Sequence, residues 1–468
     1  MEREIIAPNR KALLINLDDT TYGTFAEIGG GQEVARTFFQ AGGASGTVAK
    51  TISAYDKSFS DYFYNDNIPG RHVSETRLIH MLDKEYSDLL NVLENKRPSS
   101  TRYFVFANTV AIINFLKNNF SHGWLGFRFQ LKPDSEPNDV IMHVTLHETD
   151  PHLQQASLGI IGVNLMFACY NFHQTPNTFL RSLMDSLSPD RIEITMIRMR
   201  GPDLEYVDNR LLGVQLVKNT MTQAIIFDRY GNVQQPSDML YKKNVLAFRG
   251  SFKPMTYVGL DMLKTSYSIF KRDPDYDKYN TLSLCEMTIN NLLEEGELDE
   301  HDFLDRVDLL NSMGQNVMVS NFREYYRLVE YFSQFDIMNL RIVIGVPTFI
   351  RVLEEKWYRD LKGGILEAFG KLFMHNMKLY VYPALKEDSN ELITSRNIPM
   401  ADNLRHLYEY LIQNRKILEI TNAKKEWLSI YSHVVLDMIR KGDKNWEKMV
   451  PVFIANYIKK RKIFGYKD

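Results

Sequence analysis

Apolar and polar positions follow two different periods along the chain, and the mixture changes from one half to the other. Near the start, residues 11–17 (KALLINL) and 23–28 (GTFAEI) are short apolar runs, and each predicts a strand. Residues 33–40 predict a short helix and 47–54 a further strand. Over 74–93, Leu78, Leu82, Leu89, Leu90 and Leu93 recur at helical spacing behind Ser74, a residue suited to capping. Residues 103–110, 140–146, 191–199 and 223–227 predict strands, and 209–220 a helix. The stretch 158–170 is nearly all apolar and fits a buried strand or a buried helix equally well.

Residues 271–280 (KRDPDYDKYN) are polar, contain Pro274 and lack apolar periodicity, which places the main domain break there. Beyond it, 282–293 predicts a helix, and Asp299 is placed to cap another at 301–311. Strand 316–320 then leads to helix 322–332, strand 340–345 to helix 348–361, and helix 365–373 to strand 378–382. Such alternation implies a parallel sheet. The fold class expected is α/β with two domains, each a mixed or mostly parallel sheet flanked by helices, plus a helical C-terminal tail. The boundaries are 1–270, 281–400, and a tail over 401–468 packed on the second domain.

Composition narrows the partners. The 468 residues are 44% hydrophobic and 24% charged, an ordinary globular balance, with a formal charge of -2. That charge argues against a general electrostatic grip on nucleic acid or anionic lipid, so neither nucleic acid nor membrane is expected as a partner. The opening residues lack an apolar run behind a basic start, and no run of about 18 apolar residues follows. The expected localisation is cytoplasmic, and a homo-oligomer is compatible with the composition. Cys169 and Cys285 lie far apart, which excludes a disulfide scaffold and a CxxC site.

The strongest candidate for chemistry is the glycine-rich turn in residues 23–36, GTFAEIGGGQEVAR. A strand runs into Gly29, Gly30 and Gly31, and a helix follows. Glycine lets a ligand approach the backbone, and the first N–H groups of the helix face an anion. Glu27 precedes the turn, and Asp56 lies where a second acidic residue would hold ribose hydroxyls. The E-x-G-x-G pattern resembles the first motif of S-adenosylmethionine-dependent methyltransferases, with Glu33 where their third glycine falls. Lys50 could meet a phosphate as a point charge, although Ala49 before it departs from the P-loop pattern.

Other patterns are less specific. LLINLDDT places Asn16 where an aspartyl-nucleophile phosphatase needs a carboxylate. His143 and His147 would sit ~13 Å apart on a strand, too far for one ion. Asp273, Asp275 and Asp277 lack the mid-loop glycine of a calcium loop. A secondary anion site is expected at the carboxyl ends of the C-terminal strands: Asn321 after one strand, and Lys362, Gly363 and Gly364 before a helix. Asp208, Asn209, Arg210, Tyr241, Lys242, Lys243 and Arg249 form a mostly basic group that could meet a phosphate-bearing ligand and reads more simply as surface charge.

The blocks at 22–56 (YGTFAEIGGGQEVARTFFQAGGASGTVAKTISAYD), 122–130 (HGWLGFRFQ), 208–217 (DNRLLGVQLV) and 363–370 (GGILEAFG) resemble a bacterial family of about this length. Its members are labelled as similar to nicotinate-nucleotide adenylyltransferases, and some as TonB-dependent receptors. The resemblance implies a cytoplasmic bacterial protein and nucleotide chemistry. The His-x-x-His turn of adenylyltransferases has no counterpart near the N-terminus, where the first histidine is His72. The expected function is therefore an enzyme acting on a nucleotide or nucleotide-bearing cofactor by group or nucleotidyl transfer. The implied ligand is a small nucleotide-like molecule with Mg²⁺, and no catalytic residue is assigned. The alternatives are a non-catalytic metabolite-binding regulator and an S-adenosylmethionine-dependent methyltransferase.

Overall fold

The computed structural model describes residues 3–93, 95–274, 276–293, 296–374, 376–386 and 391–467. Asp275, one of the three aspartates noted above, lies outside them. The chain divides into two compact units, 1–223 and 224–468.

Unit 1 holds strands β1 (Thr21–Gly29), β2 (Val48–Ile52), β3 (Arg102–Ala111), β4 (His122–Phe129), β5 (Asn138–Leu146) and β6 (Ile192–Arg200). They form one sheet in the order β2-β1-β3-β4-β5-β6. β2, β1 and β3 are parallel, while β4, β5 and β6 are antiparallel. The helices are α1 (Pro8–Asn16), α2 (Glu33–Ala41), α3 (Lys57–Tyr64), α4 (Glu75–Leu93), α5 (Pro151–Asn171), α6 (Pro176–Leu183) and α7 (Asn209–Lys218).

Strand alternation gives this sheet two apolar faces. Phe25, Phe104, Phe106 and Phe127 point to the side of α2 and α5, where Phe25 meets Phe38 at 5.0 Å between ring centroids. The other face carries Gly126, against which Leu78 and Leu82 of α4 pack. Each fully buried ring contributes on the order of 2 kcal/mol of apolar transfer. The apolar stretch at 158–170 is helix α5. It has the length and composition of a membrane span, but 72% of that stretch is buried inside the protein.

The expected strand over 11–17 is instead helix α1. Pro8 sits in its first turn, and Lys11, Ala12, Ile15 and Asn16 recur on its buried face, so helical period outweighs the apolar run. Asn16 Nδ2 donates to Phe38 O (2.9 Å) and Gly42 O (2.8 Å), a structural bond between α1 and the end of α2.

Unit 2 holds β7 (Ala224–Phe227), β8 (Val233–Gln234), β9 (Asn244–Arg249), β10 (Thr281–Thr288), β11 (Asn316–Ser320), β12 (Asn339–Gly345), β13 (Met377–Tyr382), β14 (Ala384–Leu385), β15 (Leu392–Ile393) and β16 (Ile417–Glu419). Its helices are α8 (Pro236–Leu240), α9 (Tyr257–Phe270), α10 (Ile289–Leu292), α11 (Glu300–Ser312), α12 (Tyr325–Ser333), α13 (Val346–Val352), α14 (Gly364–Leu372), α15 (Arg405–Gln413), α16 (Ser432–Lys441) and α17 (Val452–Arg461). The main sheet runs β16-β13-β12-β9-β10-β11-β7-β8. It is parallel from β16 to β11, and β7 and β8 add an antiparallel edge.

Three expectations change here. The break placed at 271–280 falls inside unit 2, because β9 before it pairs with β10 after it. Residues 282–293 are mostly strand β10 rather than helix. Buried between β9 and β11, they owe their conformation to parallel pairing and not to local periodicity. The segment after 400 is mainly helical but contributes edge strand β16 to the sheet. Asp299 caps α11 as anticipated, accepting from Asp302 N at 3.0 Å.

Candidate functional site

The glycine turn closes on its own protein. Gly29 has φ +78°, and a Cβ there would lie 1.9 Å from Val110 O. A Cβ on Gly30 would lie 2.3 Å from Ile112 Cγ2, and one on Gly31 2.0 Å from Asn108 Oδ1. Close approach to β3 and the loop after it therefore requires these glycines. Glu27 is 3% exposed. It accepts from Ala35 N in the first turn of α2 (3.2 Å) and from Asn108 Nδ2 (3.2 Å), while Asn108 also donates to Gly31 O (2.9 Å). Burial pushes the Glu27 carboxyl up to about 8, against the lowering effect of the Ala35, Val34 and Asn108 bonds.

Lys50 and Asp56 work elsewhere. Lys50 forms an ion pair with buried Glu85 of α4, which also accepts from Tyr64 Oη at 2.7 Å. Asp56 caps α3, accepting from Ser58 N (2.9 Å) and Phe59 N (3.1 Å). Glu27 faces α2, whereas Lys50 reaches α4 on the opposite side of the sheet. The six residues are not gathered around one ligand-sized space.

At the secondary site, Gly363 N donates to Glu367 Oε2 at 2.9 Å, so the protein's own carboxylate occupies the start of α14. That bond, with Lys371, holds Glu367 below the usual carboxylate range. Gly364 has φ +54°. Lys362 precedes this turn, and Asn321 follows β11. The basic group at 208–249 is divided between the units: Asp208 caps α7 and pairs with Arg210, while Arg249 ends β9.

Convergent polar chemistry is found at the carboxyl ends of the parallel strands in unit 2. Counting the parallel strands in chain order from β9, the sheet reads 6-5-4-1-2-3, and its direction of growth reverses between β9 and β12. In open α/β sheets such a reversal leaves a crevice beyond the strand ends, where ligands bind. Arg249, the last residue of β9, grips Glu286 of β10 through Nε–Oε2 (2.5 Å) and Nη2–Oε1 (2.9 Å). Glu286 is fully buried and also accepts from Ser320 at the end of β11. Arg249 lies over the Tyr325 ring at 4.4 Å and donates to Arg323 O at 3.0 Å. Burial opposes its charge, but Glu286 and Tyr325 outweigh that and raise the guanidinium's pKa.

The chain then turns through 250–256 into α9, where Thr256 Oγ1 accepts from Gly259 N. Lys253 Nζ lies 3.0 Å from Asp302 Oδ1, and Arg306 pairs with the same carboxylate while donating to Ser251 O at 3.2 Å. These groups border a cavity of about 100 Å³, completed by Asn291 and Leu292 of α10, by the carboxylates Glu297 and Asp299, and by Ser432, His433 and Leu436 of α16. The C-terminal segment also folds over α9: Tyr257 N donates to Met449 O (3.1 Å), and Tyr257 stacks on Trp427 at 4.8 Å. Asp261 of α9 accepts from Tyr382 Oη at the end of β13 (2.7 Å) and from Lys424 N (3.2 Å). Of this constellation the sequence singled out only Arg249. Glu286 falls within 282–293, where the sequence pattern predicts a helix. The signal available was a buried strand ending in Gly250, Ser251 and Pro254 ahead of a Thr256 cap.

A further buried polar chain in unit 1 centres on His143. His143 lies within β5, not at a metal-binding spacing with His147. It meets His122 Nδ1 through Nε2 (3.0 Å) and Thr195 Oγ1 through Nδ1 (2.5 Å). Burial holds its imidazole well below the usual histidine range, with His122 and Arg71 adding like charge. His147 instead approaches Glu193 at 3.5 Å. Among the described residues, no group of three or more His, Cys, Asp or Glu side chains is arranged to hold a metal ion.

No family model matches the chain. No curated protein matches it either. Among solved structures it is similar to the competence/damage-inducible protein CihA from Agrobacterium tumefaciens, at 16% identity, covering 31% of this chain and 82% of that one, with a TM-score of 0.22. A likeness at that score bears on neither fold nor function, so the site is read from its own geometry.

Proposed function

We propose that the protein binds a nucleotide at the carboxyl ends of the unit 2 strands and transfers a nucleotidyl or related group there. The observation that carries this reading is the reversal of strand order between β9 and β12, with the β9–α9 turn at that point. The adjoining cavity of about 100 Å³ suits a single phosphate group rather than a whole nucleotide. Lys253 and Arg306 supply positive charge beside the carboxylates Glu297, Asp299 and Asp302, so a phosphate would enter with a cation, and Ser251, Ser432 and His433 supply hydrogen-bonding groups. Asp302 holds both cations in position, so an entering phosphate would share them with it. Magnesium would come with the phosphates and be held largely by them and by water. The resemblance to nicotinate-nucleotide adenylyltransferases suggests the pair to try. In that reaction the phosphate of a mononucleotide attacks the α-phosphorus of ATP, and pyrophosphate leaves.

Calorimetric titration with MgATP and with nicotinate mononucleotide, followed by a pyrophosphate-release assay, tests the reading. Lys253→Met is expected to weaken MgATP binding on the order of tenfold, while Asp56→Ala leaves it unchanged. Loss of binding in Asp56→Ala with none in Lys253→Met would move the site to unit 1. Binding of neither compound would remove the proposal. Binding without pyrophosphate release would favour a nucleotide-sensing protein.

A further inference from the structure

The central strand of unit 2 is left uncovered at its start. In β10, Thr281, Leu282 and Ser283 are half-buried, whereas every position from Leu284 onward is buried. Interior strands of parallel sheets are ordinarily covered on both faces. Over this opening, between α9 and the end of α11, lies a groove of about 800 Å³, within the size range of small-molecule sites. Leu263 of α9, Leu282 and Met313 give it apolar surface, and Arg229, Lys243 and Lys264 give it charge. Among the described residues that line it there is no aspartate or glutamate.

The combination selects a ligand class. An apolar surface calls for a hydrocarbon or aryl body, and three cations with no carboxylate among the described lining residues call for one anionic head. Lys243 is already oriented by donating to Asn280 Oδ1 at 2.9 Å. The groove lies at the amino ends of β10 and β11, away from the Arg249–Glu286 centre at the carboxyl ends. We propose that it binds a single-chain anionic amphiphile, with the chain over Leu263 and Leu282 and the carboxylate or phosphate head among Arg229, Lys243 and Lys264. This site is independent of the nucleotide reading.

The test uses the full chain, with laurate, dodecyl phosphate and dodecyltrimethylammonium titrated below their micelle concentrations. Calorimetry and displacement of the anionic dye 1-anilinonaphthalene-8-sulfonate give the readout. Laurate or dodecyl phosphate is expected to saturate one site, and the cationic amphiphile to bind on the order of tenfold more weakly. Preference between the two anions identifies the head group. Lys264→Glu changes an exposed side chain and should weaken anion binding on the order of fivefold, and Leu282→Trp should block the groove. Equal binding of the cationic amphiphile, no saturation by either anion, or unchanged binding in Lys264→Glu would each overturn the proposal. Should Leu282→Trp fail to fold, Lys264→Glu and the charge comparison still decide.

Discussion

Replacing Glu27 by Gln should change how stability depends on pH. In the unfolded chain this carboxyl ionises near 4.5, whereas in the folded protein burial keeps it protonated up to about 8. Between those values unfolding releases a proton, so stability falls as pH rises through the window. At about 1.4 kcal/mol per tenfold, the gap corresponds to a loss of up to about 5 kcal/mol from pH 4.5 to above 8. Glutamine is neutral throughout. Its oxygen can accept from Ala35 N, while its amide then faces the donor Asn108 Nδ2, a mismatch whose cost does not change with pH. The stability difference between wild type and Glu27→Gln should therefore move by several kcal/mol in the variant's favour from pH 5 to pH 8, whatever fixed offset the mismatch adds. Hydrogen-exchange mass spectrometry of peptides over 21–41 and 102–111 reads this locally, without requiring the two units to unfold together. Other titrating groups contribute equally to both proteins and cancel in the difference. Parallel pH profiles would refute the reasoning. They would leave Glu27 ionised in the folded state, as a carboxylate held ready for ribose hydroxyls would need to be.

Gly31→Ala forces a Cβ to within 2.0 Å of Asn108 Oδ1 unless that side chain moves, and should cost about 1–3 kcal/mol. An unchanged denaturation midpoint in unit 1 would show that the turn has room to spare. Asp185→Ala removes the carboxylate that holds fully buried Lys11 at 2.7 Å and also pairs with Arg3. The uncompensated ammonium should cost about 3–5 kcal/mol, measured by chemical denaturation, and a loss below about 1 kcal/mol would refute the account.

The sequence reveals most where local chemistry and burial agree. Leu78, Leu82 and Leu89 mark α4 because one face of that helix is apolar, and Asp299 marks the start of α11 because its cap is local. It misleads where pairing partners decide. β10 alternates only over two four-residue pieces, 281–284 and 285–288, whose phases disagree, and it is extended because β9 and β11 flank it. That error hides Glu286 and also creates the false break at 271–280, since the sheet containing β9 cannot be seen to continue. The glycine turn shows a different limit. Three glycines are required both where a ligand touches backbone and where another strand does, and only the position of Val110 and Asn108 tells the two apart. Arg249 was visible as a charge, but its meaning depends on a carboxylate 37 positions later in the chain.

The reversal of strand order has a consequence for assembly as well as for binding. β9 has to acquire neighbours on both sides: β10, and then β12 after a return across the sheet. At their starts, Asn339 Nδ2 donates to Asn244 Oδ1 across 95 positions of sequence. Pairing over such a separation is slow, because the intervening chain must be ordered before the contact is gained. The crevice is therefore the seam at which two halves of one sheet are joined, and it has no floor until that join is made. A molecule lodged there would act as a fastener, stabilising the finished sheet by an amount that grows with the logarithm of its concentration above Kd.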